Sequence, residues 1–172
     1  MWRGLYVSEE DLLSVCDKAS NTVADFITSL YDTGMRFSEL RLLRLEYIDF
    51  KKMLIRLPAE IVKTRQPRVY PLPATVLRVI KRRCGARKTG FLFTRRYDES
   101  QPIGTSQREF QRALKRAGVS FTLHDLRRSF IVNCVRRGMP LEVVGRLVGA
   151  STAILRDVYL IVQEHDWNLL RG

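Results

Sequence analysis

The chain has 172 residues, 45% of them hydrophobic and 28% charged, with 30 Lys and Arg against 18 Asp and Glu. That length suits one domain with a proper core, and the composition is that of a soluble globular protein. A net charge of +12 calls for a polyanionic partner, nucleic acid ahead of an anionic membrane surface. No apolar run approaches the roughly 18–20 residues of a spanning helix, and the acidic SEED at 8–11 comes too early for a signal peptide. Cys16, Cys84 and Cys134 are scattered and form no CxxC pair, which argues against a zinc site or a disulfide framework.

Ser8 with Asp11 predicts the N-cap of a helix carrying Leu12, Leu13 and Val15. A second helix is expected from about 21 to 33, with Val23, Phe26, Ile27 and Leu30 on one face and Gly34 as its left-handed stop. Ser38 is expected to cap a short helix with Leu40, Leu42 and Leu43. Between Tyr47 and Pro71 the period changes, and IDF, MLIRL and VYPL read as strands around a KTRQP turn. Pro73 suits the first position of a helix with Lys81, Arg82 and Arg83 at its carboxyl end. FLF (91–93) reads as a short strand or an extended segment. Thr105 and Ser106 are expected to cap a helix that Gly118 ends. The next runs from Leu123 to Arg137, with Gly138 as its stop, and Pro140 starts another carrying Leu141, Val144 and Val148. Two short helices are expected around 153–159 and 166–170. The fold class is α+β, mainly α-helical, with a small antiparallel sheet near residues 47–71, in a single domain over 1–172.

Five polar residues carry a possible chemistry. Arg36, in YDTGMRFSEL (31–40), stands at a tight turn between two predicted helices, where phosphate-binding side chains are often held. Lys63 opens KTRQPRVYPLP (63–73), at the tip of the predicted hairpin. His124 and Arg127, in LHDLRRSF (123–130), are spaced i, i+3 and face one way on a helix. Tyr159 closes LVGASTAILRDVY (147–159). Arginine forks can hold phosphate oxygens while staying charged. A lysine can protonate a leaving oxygen, and a tyrosine can attack phosphorus and hold the phosphate as an ester. Together these groups suffice to break a phosphodiester without metal. Singly each has a blander reading: a surface arginine or partner of Glu39, a solvated lysine, a solvated helix face, a half-buried packing tyrosine. With two histidines and scattered acids, no metal-ligand cluster is evident and no cofactor is implied.

The order and contexts of these residues, over about residues 5–165, resemble the catalytic domain of tyrosine recombinases, the phage-integrase family. The resemblance implies that Arg36 and Arg127 clamp the scissile phosphate and that Glu39 helps to hold Arg36. It implies that His124 assists proton transfer or hydrogen-bonds the phosphate, that Lys63 protonates the leaving 5′ oxygen, and that Tyr159 is the nucleophile of a 3′-phosphotyrosine intermediate. Arg65 and Arg68 lie close to Lys63 but off the expected position. Ala150 departs from the pattern, which places a His or Trp nine residues before the nucleophile. Losing such a donor costs about 10²–10³ in rate by analogy with oxyanion-hole deletions. A slow natural enzyme, replacement by Ser151 and an engineered substitution are all compatible with it. The implied function is a site-specific DNA recombinase or integrase. The alternative is an impaired or inactive DNA-binding relative.

The partner implied is double-stranded DNA, not a membrane, with a DNA-associated, cytoplasmic location, a monomer alone and a tetramer on DNA. Arg65, Arg82, Arg83, Arg108 and Arg112 are assigned to phosphate contacts, and Arg128 to DNA or a salt bridge; a merely solvated basic surface is the alternative. The family carries an N-terminal core-binding domain, so the chain is expected to be a fragment lacking it. Leu160, Ile161, Val162, Trp167, Leu169 and Leu170 are available to pack in cis or to reach a neighbour.

Overall fold

The computed structural model describes residues 6–105 and 107–171, without the side chains of Ile161 and of 163–171. Helices α1 (Glu9–Lys18), α2 (Asn21–Thr33) and α3 (Phe37–Arg41) come first. A three-stranded sheet follows, β1 (Ile48–Asp49), β2 (Leu54–Leu57) and β3 (Arg68–Pro71), then α4 (Ala74–Cys84). A hairpin of β4 (Thr94–Arg95) and β5 (Asp98–Pro102) precedes α5 (Arg108–Ala117), α6 (Leu123–Arg136), α7 (Leu141–Val148) and α8 (Thr152–Arg171).

Local chemistry explains most boundaries. Ser8 Oγ accepts the Asp11 N–H at 3.0 Å and starts α1. Thr122 and Asp125 form a reciprocal box, with Asp125 N–H donating to Thr122 Oγ1 at 3.2 Å and Thr122 N–H to Asp125 Oδ2 at 2.8 Å. Gly34 ends α2 at φ +62°, and a Cβ there would collide with the Phe130 ring, so α2 and α6 meet closely at this turn.

The strands pair in the order β1–β2–β3, all antiparallel. The register sets Ile55 opposite Tyr70 and Leu57 opposite Arg68. The two-residue period then turns Ile55, Leu57, Arg68 and Tyr70 inward and leaves Arg56 and Val69 outside. One core gathers Phe26, Leu30, Met35, Leu40, Ile55, Tyr70, Phe93 and Leu126. A second joins α6, α7 and α8 through Ile131, Val135, Val144, Val148 and Leu155. Among the described residues no helix is long and apolar enough to cross a membrane.

Several elements differ from the expectation. Arg36, not Ser38, is the N-cap of α3, because Glu39 Oε2 accepts the Arg36 backbone N–H at 2.9 Å. Residues 152–171 form one helix rather than two short ones, since no glycine or proline interrupts them. Helix α5 starts at Arg108 with Gln107 as its cap, beyond Thr105; Ser106 lies outside the described residues. The β4–β5 hairpin has no counterpart among the expected strands, because its polar RRYDESQ lacks apolar alternation. Pro73 and Pro140 stand one residue outside their helices as N-caps.

Candidate functional site

Two arginines share one buried carboxylate, and a third lies beside them. Arg36, at the head of α3, places Nη1 3.1 Å from Glu39 Oε1. Arg68, turned inward by the β2–β3 register, ion-pairs with the same oxygen. Arg127 comes from the second turn of α6 and is 6% exposed, while Glu39 is fully buried. Arg127 Nη1 donates to the Gly34 carbonyl at 2.6 Å and Nη2 to the Val148 carbonyl at 2.5 Å. Arg36 Nη2 donates to the Gly149 carbonyl at 3.0 Å, and its Nη1 lies 3.5 Å from the Val148 carbonyl. Arg36 and Arg127 therefore meet at the carboxyl end of α7, whose terminal carbonyls carry partial negative charge.

Three guanidinium charges set against one carboxylate leave an excess of two positive charges in a buried place. Burial, followed by the neighbouring Arg36, lowers the pKa of Arg127 to about 10, which still leaves it cationic at neutral pH. Such a cluster is completed by an anion with several oxygens.

A cleft of about 320 Å³ opens onto the cluster, lined by Met35, Arg36, Phe37, Gln107, Thr122, Leu123, His124 and Arg127. His124 stands exposed at its rim. Desolvation, then Arg128 and Arg127, hold its pKa below the ordinary value of 6.5, so its imidazole is neutral at pH 7. A larger cleft of about 840 Å³ is lined by Ser8, Glu10, Asp11 and Asp125. Its carboxylates do not suit an anion.

The other expected residues are placed differently. Lys63 is exposed in the β2–β3 loop and makes no hydrogen bond or ion pair with a described residue. Tyr159 lies two turns into α8, 36% exposed, on a helix whose Leu155 and Val162 are buried. Ala150 offers only a methyl group; its N–H donates to the Gly145 carbonyl at 3.1 Å. Ser151 Oγ accepts the Ile154 N–H at 3.5 Å at the start of α8.

Among the basic residues, Arg65, Arg108 and Arg112 are exposed. Arg128 pairs with Asp125 at 3.4 Å. Arg82 and Arg83 both pair with the buried Asp25. Arg83 also lies 5.0 Å over the Phe93 ring and is 16% exposed, so it serves the fold more than the surface. Arg68 joins the site although motif and spacing do not select it. A signal for it exists in the sequence: an arginine at an inward position of a strand, between Leu57 across the sheet and Tyr70 two residues on. The apolar side chains after Tyr159 other than Leu160 and Val162 lie outside the described side chains.

The model of the family described as Phage integrase family matches residues 7–164. A tyrosine recombinase of Thermosipho africanus is 30% identical over 143 residues, which are 81% of this chain and 50% of the relative. Tyrosine recombinase XerA of Pyrococcus furiosus is 30% identical over 135 residues, 76% of this chain and 46% of the relative. The chain thus spans about half the length of these curated relatives. A crystal structure of XerA recombinase superposes with a TM-score of 0.78 at 20% identity, covering 100% of this chain and 65% of that one. The Tn1549 transposon integrase, solved with a circular intermediate DNA, gives 0.76 at 18% identity, covering 92% of this chain and 62% of that one. At those identities the likeness is one of fold.

Proposed function

The chain belongs to the phage integrase family, and from that premise we propose that it is the catalytic domain of a site-specific DNA recombinase. In this reading it cuts and rejoins DNA strands through a 3′-phosphotyrosine at Tyr159. The Tyr159 oxygen attacks the scissile phosphorus and the bond to the 5′ oxygen breaks. Arg36 and Arg127 hold the two non-bridging oxygens, exchanging the Val148 and Gly149 carbonyls for the phosphate. Neutral His124 takes the phenolic proton, and Lys63 gives one to the leaving 5′ oxygen. The ester keeps the bond energy, so a 5′ hydroxyl can reverse the reaction without a nucleotide cofactor.

The observation that carries this reading is the meeting of Arg36 and Arg127 at the Val148 carbonyl, with Arg36 braced by the buried Glu39. The exposed Arg65, Arg108 and Arg112, with Arg128, supply phosphate contacts along a duplex. Arg82 keeps 58% of its side chain exposed while paired with Asp25 and contributes as well. The working assembly is four protomers on DNA, each with an N-terminal domain closing a clamp around the duplex. The Tn1549 transposon integrase, whose fold this chain shares, was solved with DNA, which supports DNA as the partner.

A pool of nicked suicide duplexes of randomised sequence tests the proposal. The expected result is an SDS-resistant protein–DNA adduct, independent of divalent metal and absent in Tyr159→Phe. Good duplex binding with no adduct would overturn the enzymatic reading and leave a DNA-binding relative, for which Ala150 is the reason.

A further inference from the structure

Arg68 belongs to no catalytic motif, yet it is 8% exposed and sits inside the arginine cluster. Its inner-face neighbours on the sheet are Ile55, Leu57 and Tyr70, positions at which an apolar side chain would be the cheaper choice for stability. Instead a guanidinium is buried there, with Nε and Nη1 meeting no acceptor. Such incomplete pairing is unusual in a purely structural arginine.

Its contacts reach both sides of the site. Arg68 Nη2 pairs with Glu39 Oε1, the oxygen that Arg36 Nη1 meets at 3.1 Å. The same guanidinium lies on Gly149, where an added Cβ would collide with Nη1. The Gly149 carbonyl in turn takes Arg36 Nη2. Of the three contacts of the Arg36 fork, with Glu39, Gly149 and the Val148 carbonyl, Arg68 stands behind the first two.

We infer that Arg68 is a positioning residue: by sharing Glu39 with Arg36 and abutting Gly149, it directs the Arg36 fork and ties the strand after the Lys63 loop to the anion pocket. Its absence would let Glu39 neutralise Arg36 one to one and draw the fork away from the cleft. The net charge of the cluster would fall from two to one. The catalytic consequence rests on the recombinase reading; the structural one does not.

The experiment uses Arg68→Met and Arg68→Lys in the whole chain, with two readouts. The first is the rate of Tyr159 adduct formation on a duplex carrying either a phosphodiester or a neutral methylphosphonate at the cleaved linkage. Arg68→Met should be about 10²-fold slower on the phosphodiester with unchanged duplex affinity, an effect of misplacement. The deficit should shrink to under about tenfold on the methylphosphonate, where Arg36 has less charge to meet. Arg68→Lys should recover part of the rate, since it returns the charge without the fork. Equal deficits on the two linkages, or no deficit, would overturn the inference. The second readout is the guanidinium ¹⁵N–¹H signal of Arg36, which needs no activity. It should be resolved in the unchanged chain and lost or displaced in Arg68→Met while that of Arg127 persists. An unmoved Arg36 signal would overturn the inference even if no adduct forms and the recombinase reading itself fails. Should Arg68→Met not fold, Arg68→Lys carries the same contrast at smaller amplitude.

Discussion

The arginine cluster and the proposed general acid and nucleophile occupy opposite environments. Glu39, Arg68 and Arg127 are all but sealed from solvent, whereas Lys63 is exposed on a loop and Tyr159 is 36% exposed on α8. Chemistry accounts for the division. A guanidinium keeps its charge when buried, so a holder of phosphate oxygens can be set in the core and braced by helix ends. A general acid and a nucleophile must exchange protons and meet the substrate, so exposure suits the roles proposed for Lys63 and Tyr159. In the proposed reading the buried side therefore couples catalysis to folding, and the exposed side does not.

That contrast can be broken most sharply by comparing Arg127→Met with Lys63→Met. Both should slow adduct formation by about 10³-fold. Only Arg127→Met should also lower the melting temperature, because it strands the Gly34 carbonyl, at about 1–3 kcal/mol, and leaves the Val148 carbonyl with only the long contact from Arg36. A thermal scan showing equal stability losses would erase the distinction. Next in size is Ala150→His, which restores a donor beside the cluster. Single-turnover cleavage should rise by up to about 10²-fold, and an unchanged rate would mean that another group already fills this role. Gly149→Ala tests the buried side from its backbone. The position has φ +63° and the Arg68 guanidinium against it, so strain of about 1–2 kcal/mol adds to the displacement of Arg68. A rate loss of about tenfold or more is expected in the cleavage assay, together with a lower melting temperature.

The smallest effect concerns His124, one of two histidines in the chain. Folding lowers its pKa, so it costs no stability above about pH 6.5 and reduces stability as pH falls below that value. A bound phosphate favours the imidazolium and should raise the midpoint. Titration of the His124 ring proton by NMR, free and saturated with duplex, should show the bound midpoint higher; a lower one would place His124 away from the phosphate.

Short-range features are legible in the amino-acid sequence. Helix α2 runs between its expected ends with Gly34 as the left-handed stop, and the three strands fall within 47–71. Arg36, Glu39 and Arg127 stand out by motif and spacing, and they meet. Arg83 reads as a surface cation, but Asp25 and Phe93 claim it from distant parts of the chain. Residues 152–171 read as two short helices but form one, α8, which Leu155 and Val162 anchor on α6 and α7.

Caps, turns and alternation act over a few residues, so the amino-acid order alone determined where elements start, stop and face. The site depends on pairs such as Arg36 with Gly149, 113 positions apart. Nothing local reports such a meeting, and so only the packing of β3 and α7 against α3 and α6 decided that Arg68 stands behind Arg36 and that one carboxylate serves both.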